Sequence, residues 1–129
     1  MLATLLALAL PMLGCAHRLD PFKIALTAST SAYEATNTAW SRDKAAERDA
    51  CLVPPTPPAE SPACVERVIA AWGPRSAAVK ALYAALLSAD RVLAVLAAKD
   101  ALKEALDLAP LEAAVAAVIE AVQAIQAVR

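Results

Sequence analysis

SPACVERVIAAWGPRSAAVKALYAALLSADRVLAVLAAKD, residues 61–100, reads as one long amphipathic helix and decides the fold. Val65, Val68, Ile69, Trp72, Val79, Leu82, Leu86, Leu93 and Leu96 recur at helical spacing and form one apolar seam. Ser61 before Pro62 supplies a start signal, because proline at the first helical turn gives up an N–H that no carbonyl of the helix would bind. Gly73 and Pro74 interrupt the composition but not the phase of the seam. A preserved phase predicts a single helix over about 62–98 with a kink at Gly73-Pro74, where the ring crowds the carbonyl four residues back. The seam fails near Asp100 and Lys103, and Leu102 and Leu106 belong to a shifted phase. A turn is therefore expected either near Lys99-Asp100 or at Asp107-Leu108-Ala109-Pro110.

The same arguments work outward in both directions. Upstream, Leu19, Phe22, Leu26, Tyr33 and Trp40 share a stripe, with Ser29 and Thr36 at the intervening steps. This predicts a helix over about 20–50, capped by Asp20 and with Pro21 at its first position. Its Ser and Thr content lowers helix propensity but lets a neighbouring helix approach closely. Between the two helices, residues 51–61 hold PPTPP, whose prolines forbid helix and favour a stiff polyproline-II connector. Docking of a PxxP-reading domain is the functional alternative for that stretch. Downstream, Pro110 and Glu112 open a last helix over 110–129. Its apolar face, Leu111, Val115, Val118, Val122 and Ile125, is either core or a surface for a protein partner or a second copy. The expected fold is all-α: an antiparallel bundle of three long helices, or four if 99–109 stands apart.

Composition supports this class. The 129 residues are 60% hydrophobic but only 4% aromatic, with alanine commonest and two glycines, a profile too poor in β-branched and turn residues for a sandwich or barrel. Charged residues make up 19%, few enough for the chain to bury a core instead of staying disordered. The net charge is −1 and the basic residues are scattered, so no basic face for nucleic acid is expected.

Residues 1–13, MLATLLALALPML, carry no charged side chain and are too short to span a bilayer as a helix. They have the length of a signal-peptide core, and polar sequence begins abruptly at His17, Arg18 and Asp20. Met12-Leu13-Gly14-Cys15, a small residue before a cysteine that closes an apolar run, resembles the lipobox of bacterial lipoprotein precursors. The resemblance covers about fifteen residues. Met12 and Leu13 depart from the usual Leu and small residue, and no Lys or Arg precedes the apolar run. By this resemblance residues 1–14 are a signal peptide, Cys15 is lipidated after cleavage, and 15–129 is a single helical domain. Ala16, in place of an Asp that would favour the inner membrane, implies an outer-membrane anchor facing the periplasm. An ordinary secretory signal, leaving a soluble periplasmic or secreted protein, is the alternative.

The other cysteines follow from that reading. With Cys15 acylated, Cys51 and Cys64 remain as a pair that, in an exported protein, would close the proline-rich loop as a disulfide. In a reducing compartment both would be thiols. Metal binding is not expected, because the one histidine, His17, lies beside the presumed anchor.

No chemistry is evident beyond this. Without a histidine in the helical region there is no Ser-His or Cys-His pair, and no P-loop, GxGxxG or GxSxG motif occurs. The carboxylate pairs Asp43/Glu47 and Asp100/Glu104 sit beside Lys44, Arg48, Lys99 and Lys103, as solvated ion pairs do. Tyr33, Trp40, Trp72 and Tyr83 are the candidate aromatic pocket, although their spacing suits core. The expected role is structural or interactive, with a membrane and a protein partner or self-association, and with no catalysis, cofactor, metal, nucleic acid or small-molecule substrate. Two other roles compete. One is an envelope lipoprotein encoded by a phage or mobile element, acting in lysis or superinfection exclusion. The other is a carrier that holds an apolar ligand in a Leu/Val-lined cavity within the bundle.

Overall fold

A computed structural model of the chain describes residues 18–53 and 59–129. The signal-peptide, lipobox, His17 and PxxP assignments lie outside these residues. Three helices make up almost all of the described structure: α1 (Asp20–Asp49), α2 (Pro62–Ala101) and α3 (Ala109–Ala127). They run up, down and up. Tyr33 on α1 meets Tyr83 on α2, and Trp40 meets Trp72, so the longer the sequence step back along α1, the further forward the partner on α2.

The fourth-helix alternative does not occur. Residues 102–108 form a connection, and both expected turn sites mark its ends. α2 stops in a Schellman arrangement: the Glu104 N–H donates to the Lys99 carbonyl at 3.0 Å, and the Lys103 N–H to the Asp100 carbonyl at 2.9 Å. The motif needs a left-handed residue, and Lys103 supplies it with φ 56°. At the far end of the connection, the Asp107 carboxylate accepts the Ala109 N–H at 3.1 Å and starts α3.

Two start signals are shifted by one residue. Leu19, not Asp20, precedes the first turn of α1, and its carbonyl accepts the Lys23 N–H at 3.0 Å. Leu19 is buried, so core packing fixes the entry point, and Asp20 instead pairs with Lys23 at 3.8 Å. Leu108 likewise precedes α3, which puts Pro110 one step inside the helix. Ser61 takes the expected N-cap position with extended backbone and Pro62 first in the helix, but only its backbone carbonyl, accepting the Val65 N–H at 3.0 Å, joins the helix; its side chain makes no capping hydrogen bond. α2 runs unbroken through Gly73-Pro74, as the preserved phase requires. Gly73 suits this position because a Cβ directly before proline disfavours helical backbone.

The core is one cluster along α2. Ala78, Leu82, Leu86, Ala89 and Leu96 meet Leu19 just before α1, Leu26 of α1, and Leu111, Val115, Val118 and Ile125 of α3. Phe22, Tyr33, Trp40, Val79, Leu93, Leu106 and Val122 pack around it. Ala89 is fully buried, and so is most of Ser29: the small steps in the seams are where helices approach. One expectation fails here. Ile69 is 55% exposed although it fits the period of the seam; α3 ends level with Arg75 and does not extend along this part of α2. The apolar face of α3 is core, the first of its two readings: Leu111, Val115, Val118 and Ile125 are buried and Val122 packs partly buried beside them.

Lys103 holds a backbone conformation that costs an L-residue roughly 1–2 kcal/mol and glycine little. Lys103→Gly is therefore expected to stabilise the protein by about 1 kcal/mol in urea unfolding. A loss of stability would show that its side chain, not its backbone, matters at this turn.

Candidate functional site: the disulfide-closed end

The chain between α1 and α2 is tied three ways. Cys51 and Cys64 form a disulfide with Cα atoms 5.5 Å apart across 13 positions. β1 (Leu52–Val53) pairs antiparallel with β2 (Ala59–Glu60), Leu52 opposite Glu60 and Val53 opposite Ala59. The Ser61 N–H also donates to the Cys51 carbonyl at 3.0 Å. The flanks of the expected polyproline connector are thus a short hairpin ladder. The prolines explain its shortness, since they cannot donate to a ladder.

Near this hairpin, Trp40, Glu47, Trp72 and Arg75 form a cluster of aromatic and charged side chains. Trp72 of α2 is almost wholly buried, and its indole N–H donates to the Glu47 carboxylate of α1 at 2.8 Å. Trp40 of α1 meets the Trp72 ring edge-on at a centroid distance of 6.3 Å and 71°. The Arg75 guanidinium lies 4.5 Å from the Trp72 centroid and 5.9 Å from that of Trp40. Arg75 Nε donates to the Val128 carbonyl at 3.1 Å, just beyond α3. One arginine therefore links all three helices: it stacks on aromatic side chains from two and satisfies a carbonyl at the end of the third.

The sequence reading found the aromatics but not the cluster. Trp40 and Trp72 were expected as core, and they pair between α1 and α2; Tyr33 and Tyr83 pair likewise at 5.5 Å, with Tyr83 half exposed. Glu47 was expected in a solvated pair with its basic neighbours and instead accepts the indole N–H. Arg75 is legible in the sequence only through the spacing Trp72/Arg75, which puts a cation three residues from a ring on the same helix face.

Two concavities adjoin these residues or α1. One of about 400 Å³ is lined by Trp40, Asp43, Ala46, Glu47, Trp72, Arg75 and Arg129. The other, of about 510 Å³, lies along α1 at Ser31, Glu34, Ala35, Thr38, Ala39 and Arg42. Both open to solvent, the first lined by aromatic and charged side chains and the second by polar and small ones, so neither is the Leu/Val-lined chamber that an apolar carrier needs. Among the described residues no three His, Cys, Asp or Glu side chains gather as metal ligands. No protein-family model, curated protein or solved structure matches the chain.

The cluster reads as a structural clasp, and two measurements test it. Arg75→Ala is expected to destabilise by about 1–2 kcal/mol through lost stacking and one lost hydrogen bond. Arg75→Lys should recover less than half of that, because an ammonium cannot stack as a planar guanidinium does. Reduction of Cys51–Cys64 is expected to cost about 3 kcal/mol, read as a lower melting temperature that returns on reoxidation.

Proposed function

We propose that this chain is a small lipid-anchored helical protein of a bacterial envelope, acting through structure or protein contact and not through catalysis. The observation that carries the reading is the pairing of the cysteines. Cys51 and Cys64 are joined, which leaves Cys15 as the third, at the end of the apolar run in Met12-Leu13-Gly14-Cys15. A disulfide closing a small domain fits an oxidising compartment outside the cytosol. A cysteine preceded by glycine and a short apolar stretch fits acylation at the same destination. An odd thiol in an exported protein would otherwise need a separate explanation. Each buried CH₂ of an attached chain adds about 0.8 kcal/mol of membrane affinity, so acylation by several chains anchors the protein durably.

The role of the body is then mechanical. A clasped three-helix bundle offers a rigid rod at a fixed place on the membrane, with its aromatic and charged end available to a protein partner. Outer-membrane attachment facing the periplasm is the destination that Ala16 favours.

The test is mass spectrometry of the membrane fraction from cells expressing the full chain or its Cys15→Ser variant. Acyl mass on Cys15 and release of the variant into the soluble fraction are expected. A mature chain that begins elsewhere without acylation would replace the anchor with an ordinary secretory signal. An intact, unprocessed chain with free thiols at Cys51 and Cys64 would overturn the compartment as well.

A further inference from the structure

The chain enters the bundle at the end opposite the clasp, and that end carries its most exposed large apolar side chains. Leu102 is 71% exposed, Ile24 69% and Val95 58%. Ile69 and Leu52, at the clasp end, are exposed by 55% and 43%. Leu102 opens the α2–α3 connection directly after the last residue of α2, and Val95 lies two turns before it on the same helix stripe. Ile24 lies in the second turn of α1. The Tyr33–Tyr83 pairing puts that turn level with the last third of α2.

From this arrangement, and resting on the lipid anchor proposed above, we infer that Ile24, Val95 and Leu102 form a lipid-facing tip that dips into the membrane interface. The tether decides the occupant. Cys15 precedes Arg18 by three residues, and three residues fully extended reach about 10 Å at most. Chains attached at Cys15 therefore hold the first turn of α1 against the headgroups, and the apolar tip at that end meets the bilayer before it can meet another protein. Lys23, Lys99 and Lys103 flank the three apolar residues closely in sequence, as interfacial residues that reach for phosphates do. Residues 18–23 and 99–107 carry four basic and four acidic side chains, so the contact is apolar insertion and not charge attraction. The clasp, with Trp40 and Trp72, then points away from the membrane. Trp40 lies 22 residues along α1 from Arg18, about 33 Å at the helical rise.

Tryptophan quenching by lipids brominated on their acyl chains tests this directly. The acylated full chain is placed in vesicles of phosphatidylethanolamine and phosphatidylglycerol, some brominated. The unaltered protein should keep nearly all its emission, since both native indoles lie far from the acyl chains. Leu102→Trp, and independently Ile24→Trp, should add emission that falls by about half or more. That loss should persist in roughly 0.5 M salt, which screens charge but not apolar burial. Both substitutions replace exposed side chains, and an unchanged helical circular dichroism spectrum verifies folding. If Cys15 carries acyl mass but the added indoles are not quenched, the tip does not touch lipid and this inference fails while the anchor stands. Quenching of the native indoles instead would reverse the orientation and overturn it. Shielding of the added indoles by a dimer in sedimentation would assign the tip to a second copy and overturn it too. A chain without acyl mass removes the tether, and both readings fall together.

Discussion

Everything in this structure leans on the flank of one helix. Among the described helices, α2 alone touches both others extensively; α1 and α3 meet each other far less than either meets α2. Its alternation of leucine with alanine, Ala78, Leu82, Leu86, Ala89 and Leu96, sets the spacing of the whole bundle. Alanine lets the neighbouring backbones come close, and leucine fills the layers between. Because α1 and α3 gain little from each other, a disruption of the α2 flank would release both at once. Layers of two helices, in contrast, would lose only one contact.

A slender core of this kind explains why the ends need reinforcement. Few large side chains are buried, and a small domain has little apolar area with which to offset chain entropy. At one end the offset comes from chemistry of higher strength per residue: a disulfide, an indole–carboxylate hydrogen bond and an arginine stacked on two rings. These groups cross between elements that the leucine layers do not join well. Arg75 in particular reaches the carbonyl of Val128, so the end of α3 is held by a side chain and not by packing alone. The opposite end has no such clasp among the described contacts. It closes with a Schellman turn and an aspartate cap, both local to the α2–α3 connection.

What could be read from the sequence was whatever repeats along a helix. The seams of α1 and α2, the unbroken passage through Gly73-Pro74 and the placement of Tyr33, Trp40 and Trp72 follow from period alone, because burial selects residues at that period. Contacts between helices were less legible, since they depend on register. Glu47 is four residues from Asp43 and one from Arg48, and nothing local distinguishes a solvated carboxylate from one that meets an indole on another helix. The face of α3 posed the complementary difficulty. An apolar stripe states that something covers it, but not whether the cover is the chain itself; here it is α2. Ile69 is the converse case, fitting the period at a level that α3, which ends beside Arg75, does not reach.

The same slenderness accounts for a chain that is apolar overall, with mean hydropathy +0.52, yet buries few side chains. α2 and α3 are each long and apolar enough to cross a membrane by length and composition, but in the bundle less than a third of either apolar window is buried. Alanine reconciles the two. Each alanine raises hydropathy, less than a larger aliphatic residue would but at many positions, while its small side chain loses little when it faces water. Outward-facing alanines therefore make a helix look lipid-soluble without making it so. Asp90 and Arg91 fall within the apolar stretch of α2, where bilayer burial would strand both charges; on the bundle both face out and are exposed. Apolar composition in this chain thus comes largely from small residues spread over the surface, and the large exposed apolar side chains of the described residues are few: Ile24, Leu52, Ile69, Tyr83, Leu87, Val95 and Leu102.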